Sequence, residues 1–221
     1  MKAMILAAGR GERMRPLTDH VPKPLLSVAD KPLIVHTINQ LVAAGFTELV
    51  INHAHLGRQL EDTLGNGQKF GAHISYSPEG EALETAGGII HALPLLGNEP
   101  FLVINGDIAT DFPFAELCVI NIKLAHIVLI NNPAHNPNGD FGLDSTGLVT
   151  NEADRRFTFS GIGVYHPDLF MNTPPGKSKL APLLRQGISE KKVTGQFYPG
   201  FWMDIGTPER LQELDRRLRQ T

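Results

Sequence analysis

The sequence predicts an α/β protein in which a mostly parallel sheet is covered by helices on both faces. Over the first 110 residues, short apolar runs typical of strands alternate with segments of helical periodicity, in the order βαβαβαβ. The run "FLVIN" is apolar throughout, as expected for a strand buried on both faces. The 221-residue chain is 42% hydrophobic, which is enough for a large core. We therefore expect residues 1–221 to form one domain.

The elements of the first half follow from their patterns in order. Strands are predicted at "KAMILAA", "ELVIN", "AHISYS" and "FLVINGD", and helices at "DKPLIVHTINQLVAAG", "GRQLEDTLG" and "ETAGGIIHAL". In the first helix, Ile34, Ile38 and Leu41 share one apolar face. Asp30 is placed to cap this helix at its N-terminus, and Gly45 is expected to close it.

The second half is less regular. "AHIVLINN" and "FTFSGIGVY" are predicted strands, separated by the turn-rich segment "NPAHNPNGD", which is suited to form the rim of a pocket. "SKLAPLLRQGI" predicts a helix, and "VTGQFYPGFWMDIG" predicts two strands or a strand with an extended segment. The last helix starts at Thr207, whose hydroxyl caps it, with Pro208 in the first turn. Its charged residues are expected to form a solvated face.

Composition excludes several classes of function. The formal net charge of -3 gives no general attraction to nucleic acid, and no cluster of basic residues suits a membrane surface. The apolar stretch Ala3–Ala8 is too short for a signal peptide or a membrane span. The single cysteine, Cys118, cannot form an internal disulfide and is expected to be a small buried residue. A cytoplasmic protein is predicted.

The segment "LAAGRGERMRPLTDHVPKP" after the first strand indicates a phosphate-binding loop. Gly9 and Gly11 allow backbone N–H groups to approach a phosphate without obstruction by a Cβ atom. The Gly-Lys-Ser/Thr sequence of a P-loop is absent. A dinucleotide-binding motif would need glycine where Met14 stands, and an acidic residue where the second strand ends in Asn52.

Cations in the same loop favour a triphosphate as the ligand. Arg13, Arg15 and Lys23 lie on it, and Pro22 and Pro24 restrict the backbone around the lysine to extended conformations. Two histidines, in "NHAH", lack neighbouring metal ligands, so we expect rim or core positions for them. Trp202 is expected to fill core volume.

This loop resembles the signature of the sugar-1-phosphate nucleotidylyltransferases, G-x-G-T-R-[LM]-x-P-x-T followed by P-K-P. The resemblance continues through "YSPEGEALETAGGI", "LVINGD" and "FWMDIGTPERL", and so covers nearly the whole chain. It implies a Rossmann-like three-layer α/β/α nucleotidyltransferase fold with a mixed, mostly parallel sheet. The nucleotide-binding half would comprise about residues 1–110 and the sugar-binding half about residues 111–221.

In such a reaction, an oxygen of the sugar 1-phosphate attacks the α-phosphorus of a nucleoside triphosphate, and pyrophosphate leaves. Positioning and charge neutralisation then dominate catalysis. The resemblance implies that Arg13, Lys23 and Asp107 are catalytic, with Arg13 on the pyrophosphate side and Lys23 at the α-phosphate or sugar phosphate. It implies that Asp107 and Asp204 hold Mg²⁺, a cation suited to two carboxylates and substrate phosphates.

The resemblance also implies the positions that bind the nucleotide. These are Ala8, Gly9, Gly11, Glu12, Arg13, Lys23, Glu79, Thr85, Gly87, Asn105 and Gly106. Glu79 falls where a side chain meets the base, but a carboxylate can accept from N3–H of uracil or from N1–H of guanine, so it leaves the base open. Gly87 and Gly88 favour close approach of a ligand, because glycine within a helix costs roughly 1 kcal/mol relative to alanine. Glu12 replaces the usual threonine.

For the sugar, the resemblance implies Asp140 and Gly161. Many members carry Glu-Lys-Pro before the final sugar-site strand, whereas this chain has "VTNEADRRF", so Asn151 and Glu152 are the candidates to replace it. The expected substrates are UTP and a sugar 1-phosphate, preferably N-acetylmuramic acid 1-phosphate. The expected assembly is a monomer or homodimer.

Four alternatives stay open. Two lie within the same class of enzyme: guanylyl transfer to mannose 1-phosphate and thymidylyl transfer to glucose 1-phosphate. The third is a non-catalytic sensor of nucleotide-sugars, which would not need both metal-binding carboxylates. The fourth is a nicotinamide oxidoreductase.

Overall fold

The computed structural model describes residues 1–220. The strands are β1 (Ala3–Leu6), β2 (Ser27–Val28), β3 (Lys31–Pro32), β4 (Glu48–His53), β5 (His73–Pro78), β6 (Phe101–Asn105), β7 (Ile108–Thr110), β8 (Ala125–Ile130), β9 (Gly142–Leu143), β10 (Val149–Thr150), β11 (Thr158–Tyr165), β12 (Val193–Tyr198) and β13 (Trp202–Asp204). The helices are α1 (Leu33–Ala43), α2 (Gly57–Leu64), α3 (Glu84–Leu96), α4 (Leu180–Ser189) and α5 (Pro208–Arg219).

A seven-stranded sheet with the order β12-β8-β11-β6-β1-β4-β5 forms the centre of the protein. Strand β11 runs antiparallel to both of its neighbours, and the other pairings are parallel, so the sheet is mixed and mostly parallel as predicted. Both halves of the chain contribute strands. Three short two-stranded pairs, β2–β3, β7–β13 and β9–β10, lie outside this sheet.

Alternation along the strands divides the core into two layers. In β1, Ala3 and Ile5 pack on the side of α1 and α2, whereas Met4 packs on the side of α3 and α4. This alternation is the period of two that a strand imposes on its side chains. A third cluster, which includes Met14 and Leu214, seats α5 against the loop after β1.

Two local expectations are wrong. Asp30 does not cap α1, which begins after Pro32; Ala29 and Asp30 instead have φ of 45° and 63° and form the turn between β2 and β3. The Asp30 carboxylate pairs with Arg219 of α5 at 2.9 Å, so the last helix fixes this hairpin and is more than a solvated face. Cys118 is exposed, because it lies on the outer side of a short helical turn that buries Leu117.

No helix within residues 1–220 is both long enough and apolar enough to cross a bilayer.

Candidate active site

A cavity of about 600 Å³ lies at the carboxyl ends of β1, β4, β5 and β6. This edge is where open α/β sheets bind their ligands. The predicted catalytic and nucleotide-binding residues that line the cavity are Ala8, Gly9, Gly11, Glu12, Arg13, Lys23, Glu79, Thr85, Asn105, Gly106 and Asp107. The structure thus brings together residues from five separate segments of the chain. The volume lies in the range of small-molecule binding sites, roughly 300–1,000 Å³.

The loop after β1 forms one wall of the cavity. Gly11 has φ of 71°, and a methyl group there would lie 3.0 Å from Cγ2 of Thr18 and 3.2 Å from Cβ of Lys23. Thr18 also donates a hydrogen bond from its hydroxyl to the carbonyl of Gly11 at 2.9 Å. A side chain at Gly11 would therefore be strained by its backbone conformation and would push Lys23 out of position.

Two cations of this loop line the cavity, one of them in an ion pair and the other in none formed by the described residues. Lys23 begins a short helical turn after Pro22, and its Nζ donates to Oδ2 of Asp107 at 2.6 Å. Its side chain is 12% exposed, and that of Asp107 is 33% exposed. Arg13 is exposed and takes part in none of the ion pairs formed within residues 1–220. The Arg13 guanidinium is therefore available for an anionic ligand.

Strand pairing brings Asp204 close to the backbone of Asp107, but its carboxylate has its own cationic partners. It is paired with Ile108 across β7 and β13, and Ile205 N–H donates to the carbonyl of Asp107 at 2.7 Å. A methyl group on Gly206, which lines the cavity, would lie 3.2 Å from Oδ2 of Asp204 and 3.1 Å from Nη2 of Arg13. The Asp204 carboxylate is therefore at the same edge of the cavity as Arg13.

Two partners of Asp204 were missed by sequence reasoning. Arg210 Nη1 donates to Oδ2 of Asp204 at 2.5 Å, and Nε2 of His135 lies 3.6 Å from Oδ1. Arg210 also contacts His135, with 2.9 Å between Nη2 and Nδ1. Arg210 could have been suggested by its place in the first turn of α5, close after "WMDIG". No sequence signal connects His135 to this position, because it lies in the loop between β8 and β9.

The side chains of the site suit a metal ion that is also bound by substrate and water, as Mg²⁺ is, rather than one bound by protein side chains alone. Within the described chain, no three His, Cys, Asp or Glu side chains are grouped closely enough to hold a metal ion. Asp107 lines the cavity, and Asp204 lies on the strand paired with the segment that follows Asp107. Two carboxylates brought together in this way match the habit of Mg²⁺ of binding one or two carboxylates, substrate phosphates and water. Both carboxylates are ion-paired, so metal binding there would replace Lys23 and Arg210 as their partners.

Glu79 is held by the protein from two sides. Its Oε1 accepts from Nδ2 of Asn52 at 2.5 Å, and its Oε2 accepts from the N–H of Leu83 at 2.8 Å. Asn52 in turn accepts from the N–H of Ala7 at 2.8 Å. Sequence reasoning did not assign Asn52 to the site, although a polar residue ending a buried strand was the available signal. This network fixes the loop after β1 to the segment that carries Glu79.

The structure does not place Gly87 in the cavity. A methyl group on it would lie 2.2 Å from the carbonyl oxygen of Gly176, and its N–H donates to the carbonyl of Ser178 at 3.1 Å. A methyl group on Gly88 would likewise lie 2.5 Å from Oε1 of Glu79. Both glycines therefore allow close packing of protein segments, in place of the close ligand approach expected from the sequence.

A second cavity of about 300 Å³ adjoins the first, and the two share Glu84, Thr85 and Asn105 as lining residues. Asp140 lines it, as predicted for the sugar site. Its other lining residues are Phe141, Phe159, Lys179, Leu180, Ala181, Leu184 and Arg185. Phe159 lies in the strand "FTFSGIGVY", which the resemblance also implies for the sugar site, whereas the residues of α4 were not expected there. These residues come from three separate segments of the chain, around residues 141, 159 and 179–185.

Three predicted sugar-site residues lie outside this cavity. Asn151 donates from Nδ2 to the carbonyl of Arg185 at 3.0 Å, and Glu152 is exposed. Gly161 has φ of 78° at an irregularity in β11, and a methyl group there would lie 2.5 Å from Nδ2 of Asn105. Gly161 therefore leaves room for Asn105, which lines both cavities.

The remaining sequence candidates take structural positions. His53 is buried, with Nε2 2.7 Å from Oε1 of Glu61, as expected for a core histidine. Trp202 packs against the core and donates from Nε1 to the carbonyl of Ser160 at 2.9 Å.

Comparison with known proteins supports the same kind of site. Residues 2–221 match the family model described as nucleotidyl transferase. The chain is 54% identical to an N-acetylmuramate alpha-1-phosphate uridylyltransferase from Neisseria meningitidis serogroup B, with 96% of each chain covered. It is 31% identical to a mannose-1-phosphate guanylyltransferase catalytic subunit beta from Drosophila melanogaster, with 94% of this chain but 60% of that protein covered.

A solved structure supports the fold. The crystal structure of a Bacillus anthracis protein assigned as a glucose-1-phosphate thymidylyltransferase superimposes with a TM-score of 0.86. The match covers 100% of this chain and 96% of that chain at 23% sequence identity. The structural likeness establishes the α/β/α fold of this chain.

Proposed function

Because the chain belongs to the nucleotidyl transferase family, we propose that it transfers a uridylyl group from UTP to N-acetylmuramic acid 1-phosphate. The products are pyrophosphate and the corresponding UDP-sugar. The observation that carries the reaction class is the convergence of Gly11, Arg13, Lys23 and Asp107 on one cavity that opens beside a second, smaller one. The choice of base and sugar is supported by the 54% identity to a uridylyltransferase over 96% of both chains.

The acceptor supplies the nucleophile, so the protein needs no catalytic serine or cysteine. An oxygen of the sugar phosphate forms a bond to the α-phosphorus while the bond to pyrophosphate breaks in line with it. Lys23 is placed to neutralise charge on the phosphoryl oxygens once it exchanges Asp107 for a phosphate. Arg13, which has no ionic partner within residues 1–220, grips the leaving pyrophosphate with its planar guanidinium.

Asp107 and Asp204 are the residues that would hold Mg²⁺, which when bound neutralises charge on the phosphates. Glu79 faces the base. Each of its oxygens already accepts one hydrogen bond and retains a lone pair, so the carboxylate can accept from N3–H of uracil. The network with Asn52 holds the carboxylate in place before the nucleotide arrives.

The reaction belongs to the recycling of cell-wall sugars, in which a salvaged amino sugar phosphate returns to the nucleotide-sugar pool. Since UTP is a cytoplasmic substrate, we place the enzyme in the cytoplasm. We propose that it acts as a monomer or homodimer.

The test is a matrix of donors and acceptors. Pyrophosphate release is measured for UTP, dTTP, GTP, ATP and CTP against a panel of sugar 1-phosphates, with Mg²⁺ and with chelator. We expect the highest kcat/KM with UTP and N-acetylmuramic acid 1-phosphate, and no turnover without a divalent metal. A preference for GTP with mannose 1-phosphate, or for dTTP with glucose 1-phosphate, would replace the proposed substrates. Tight binding of nucleotide-sugars without any turnover would identify a sensor.

A further inference from the structure

The second cavity contains cations that the protein leaves unpaired. Lys179 and Arg185 line it, and neither takes part in any ion pair formed within residues 1–220. Asp140, which also lines this cavity, is already hydrogen-bonded, because its Oδ2 accepts from the N–H of Phe159 at 2.8 Å and from Asn136 Nδ2 at 3.2 Å. The acidic Glu84 lies at the wall shared with the nucleotide cavity. A ligand of this cavity can therefore present anionic groups to two free cations.

The two cations occupy different ends of the cavity. Lys179 follows Ser178, whose carbonyl accepts from the N–H groups of Ala86 and Gly87 at the start of α3. It therefore lies beside the wall shared with the nucleotide cavity, where the acceptor phosphate must meet the donor. Arg185 lies six residues further along, roughly 9 Å at the rise of an α-helix. It is thus placed away from the reacting phosphates.

Arg185 is an exposed residue whose guanidinium contacts the face of an aromatic ring. Its central carbon lies 5.2 Å from the centre of the Phe141 ring, and Phe141 is buried. The adjacent backbone is held as well, since the carbonyl of Arg185 accepts from Nδ2 of Asn151 at 3.0 Å. An arginine restrained in this way loses less freedom on binding an anion than a free lysine, and its planar fork matches a carboxylate.

We propose that Arg185 binds a carboxylate carried by the acceptor sugar and so selects an acidic sugar 1-phosphate over a neutral one. The inference rests on the proposed function, because that function places the sugar in the second cavity. N-acetylmuramic acid differs from N-acetylglucosamine by a lactyl ether that bears one carboxylate. A neutral hexose phosphate would leave the Arg185 cation without an ionic partner.

The test compares two ligands that differ by this carboxylate in three proteins. Dissociation constants for UDP-N-acetylmuramic acid and UDP-N-acetylglucosamine are measured by calorimetry for the unaltered protein, Arg185→Met and Arg155→Met. Arg155 is the matched control: it is exposed, its guanidinium lies 4.8 Å from the centre of the Phe157 ring, and it lines neither cavity.

We expect Arg185→Met to weaken binding of the acidic ligand roughly 10- to 100-fold, the range of a hydrogen bond to a charged group, and to leave the neutral ligand unchanged. Arg155→Met should preserve the preference of the unaltered protein, and Arg185→Lys should retain part of it. Thermal unfolding of each variant verifies folding, and Arg185→Gln serves as a second neutral replacement.

The inference is overturned if Arg185→Met weakens both ligands equally, since the arginine would then serve a group common to both. It is also overturned if the unaltered protein does not distinguish the two ligands. These results are separable from the proposed function, because binding is measured without turnover. Pyrophosphate release from UTP by the unaltered protein with either acceptor tests the function independently.

Discussion

Replacing Lys23 by methionine should separate catalysis from stability. The Lys23–Asp107 pair is short at 2.6 Å, but the Asp107 side chain is 33% exposed and keeps part of its hydration when the lysine is lost. Exposed pairs contribute about 0–1 kcal/mol, whereas breaking a fully buried pair costs about 3–5 kcal/mol. Because this pair is only partly buried, we expect the free energy of unfolding to fall by about 1–2 kcal/mol, between these two ranges. For a chain of this length this corresponds to a decrease of about 2–8 °C in Tm.

The effect of Lys23→Met on the rate should be much larger. A positioned charge that stabilises a developing anion contributes about 2.7–4 kcal/mol to the transition state, or roughly 10²–10³ in kcat. The assay is steady-state pyrophosphate release at saturating UTP and acceptor, accompanied by urea and thermal unfolding. Lys31→Met is the matched control, since Lys31 is exposed in β3 and lines neither cavity.

A loss of kcat smaller than about tenfold, or a Tm decrease well beyond about 8 °C with a proportionate loss of active protein, would refute this reasoning. Lys23 would then serve mainly to compensate the charge of Asp107. Normal kcat and Tm are expected for Lys31→Met, so a loss in this control as well would show that the assay reports general charge and not the site.

Three further results are expected. Asp204→Asn should raise the Mg²⁺ concentration for half-maximal rate at least about tenfold, because one of two carboxylates is lost. Asp215→Asn, in α5 away from the cavity, should not change it, and equal values for the two variants would remove Asp204 from the metal site. Burial lowers the pKa of His126, so the unfolded chain binds a proton at this residue first as the pH falls through about 6.5, and the free energy of unfolding decreases there. In urea unfolding between pH 7.5 and 5, His126→Gln should lose less of this free energy than the unaltered protein. Equal losses in the two proteins would contradict this. Gly87→Ala should cost about 1–3 kcal/mol of stability, because its methyl group would overlap a carbonyl oxygen. Gly9→Ala, whose methyl group meets nothing within 4 Å, should retain Tm and weaken UTP binding. The reverse pattern in thermal unfolding and calorimetry would contradict the packing role of Gly87.

The sequence predicts the fold, and most of the residues that line the first cavity, because both depend on local chemistry. Apolar runs such as "FLVIN" identify buried strands, and in a parallel sheet the ends of those strands meet at one edge. Glycines and prolines then define the loop that carries Lys23. Placing Asp107 in the same cavity requires only that it follows β6, which neighbours β1 in the sheet.

Prediction is weaker where a feature depends on contacts between distant segments. Asp30 has the sequence context of a helix cap, but it lies in a two-residue hairpin loop that needs positive φ, and its carboxylate pairs with Arg219 of the distant α5. Cys118 is exposed because its neighbours occupy the inner face of the turn. The second cavity is the clearest case, since Phe141 and Arg185 meet there through the tertiary fold alone.

The charges of the site suggest why metal and nucleotide should bind together. Within the protein, Asp107 is compensated by Lys23 and Asp204 by Arg210. A divalent metal alone would take the carboxylates and leave two cations near the cavity without partners, whereas a triphosphate alone would take the cations and leave the carboxylates exposed to its own negative charge. A magnesium–triphosphate complex carries both signs, so it can replace every protein partner at once. Exchange of partners within a balanced set would avoid the desolvation cost of an unpaired charge, so we expect the metal to enter with the nucleotide and neither of them to enter first.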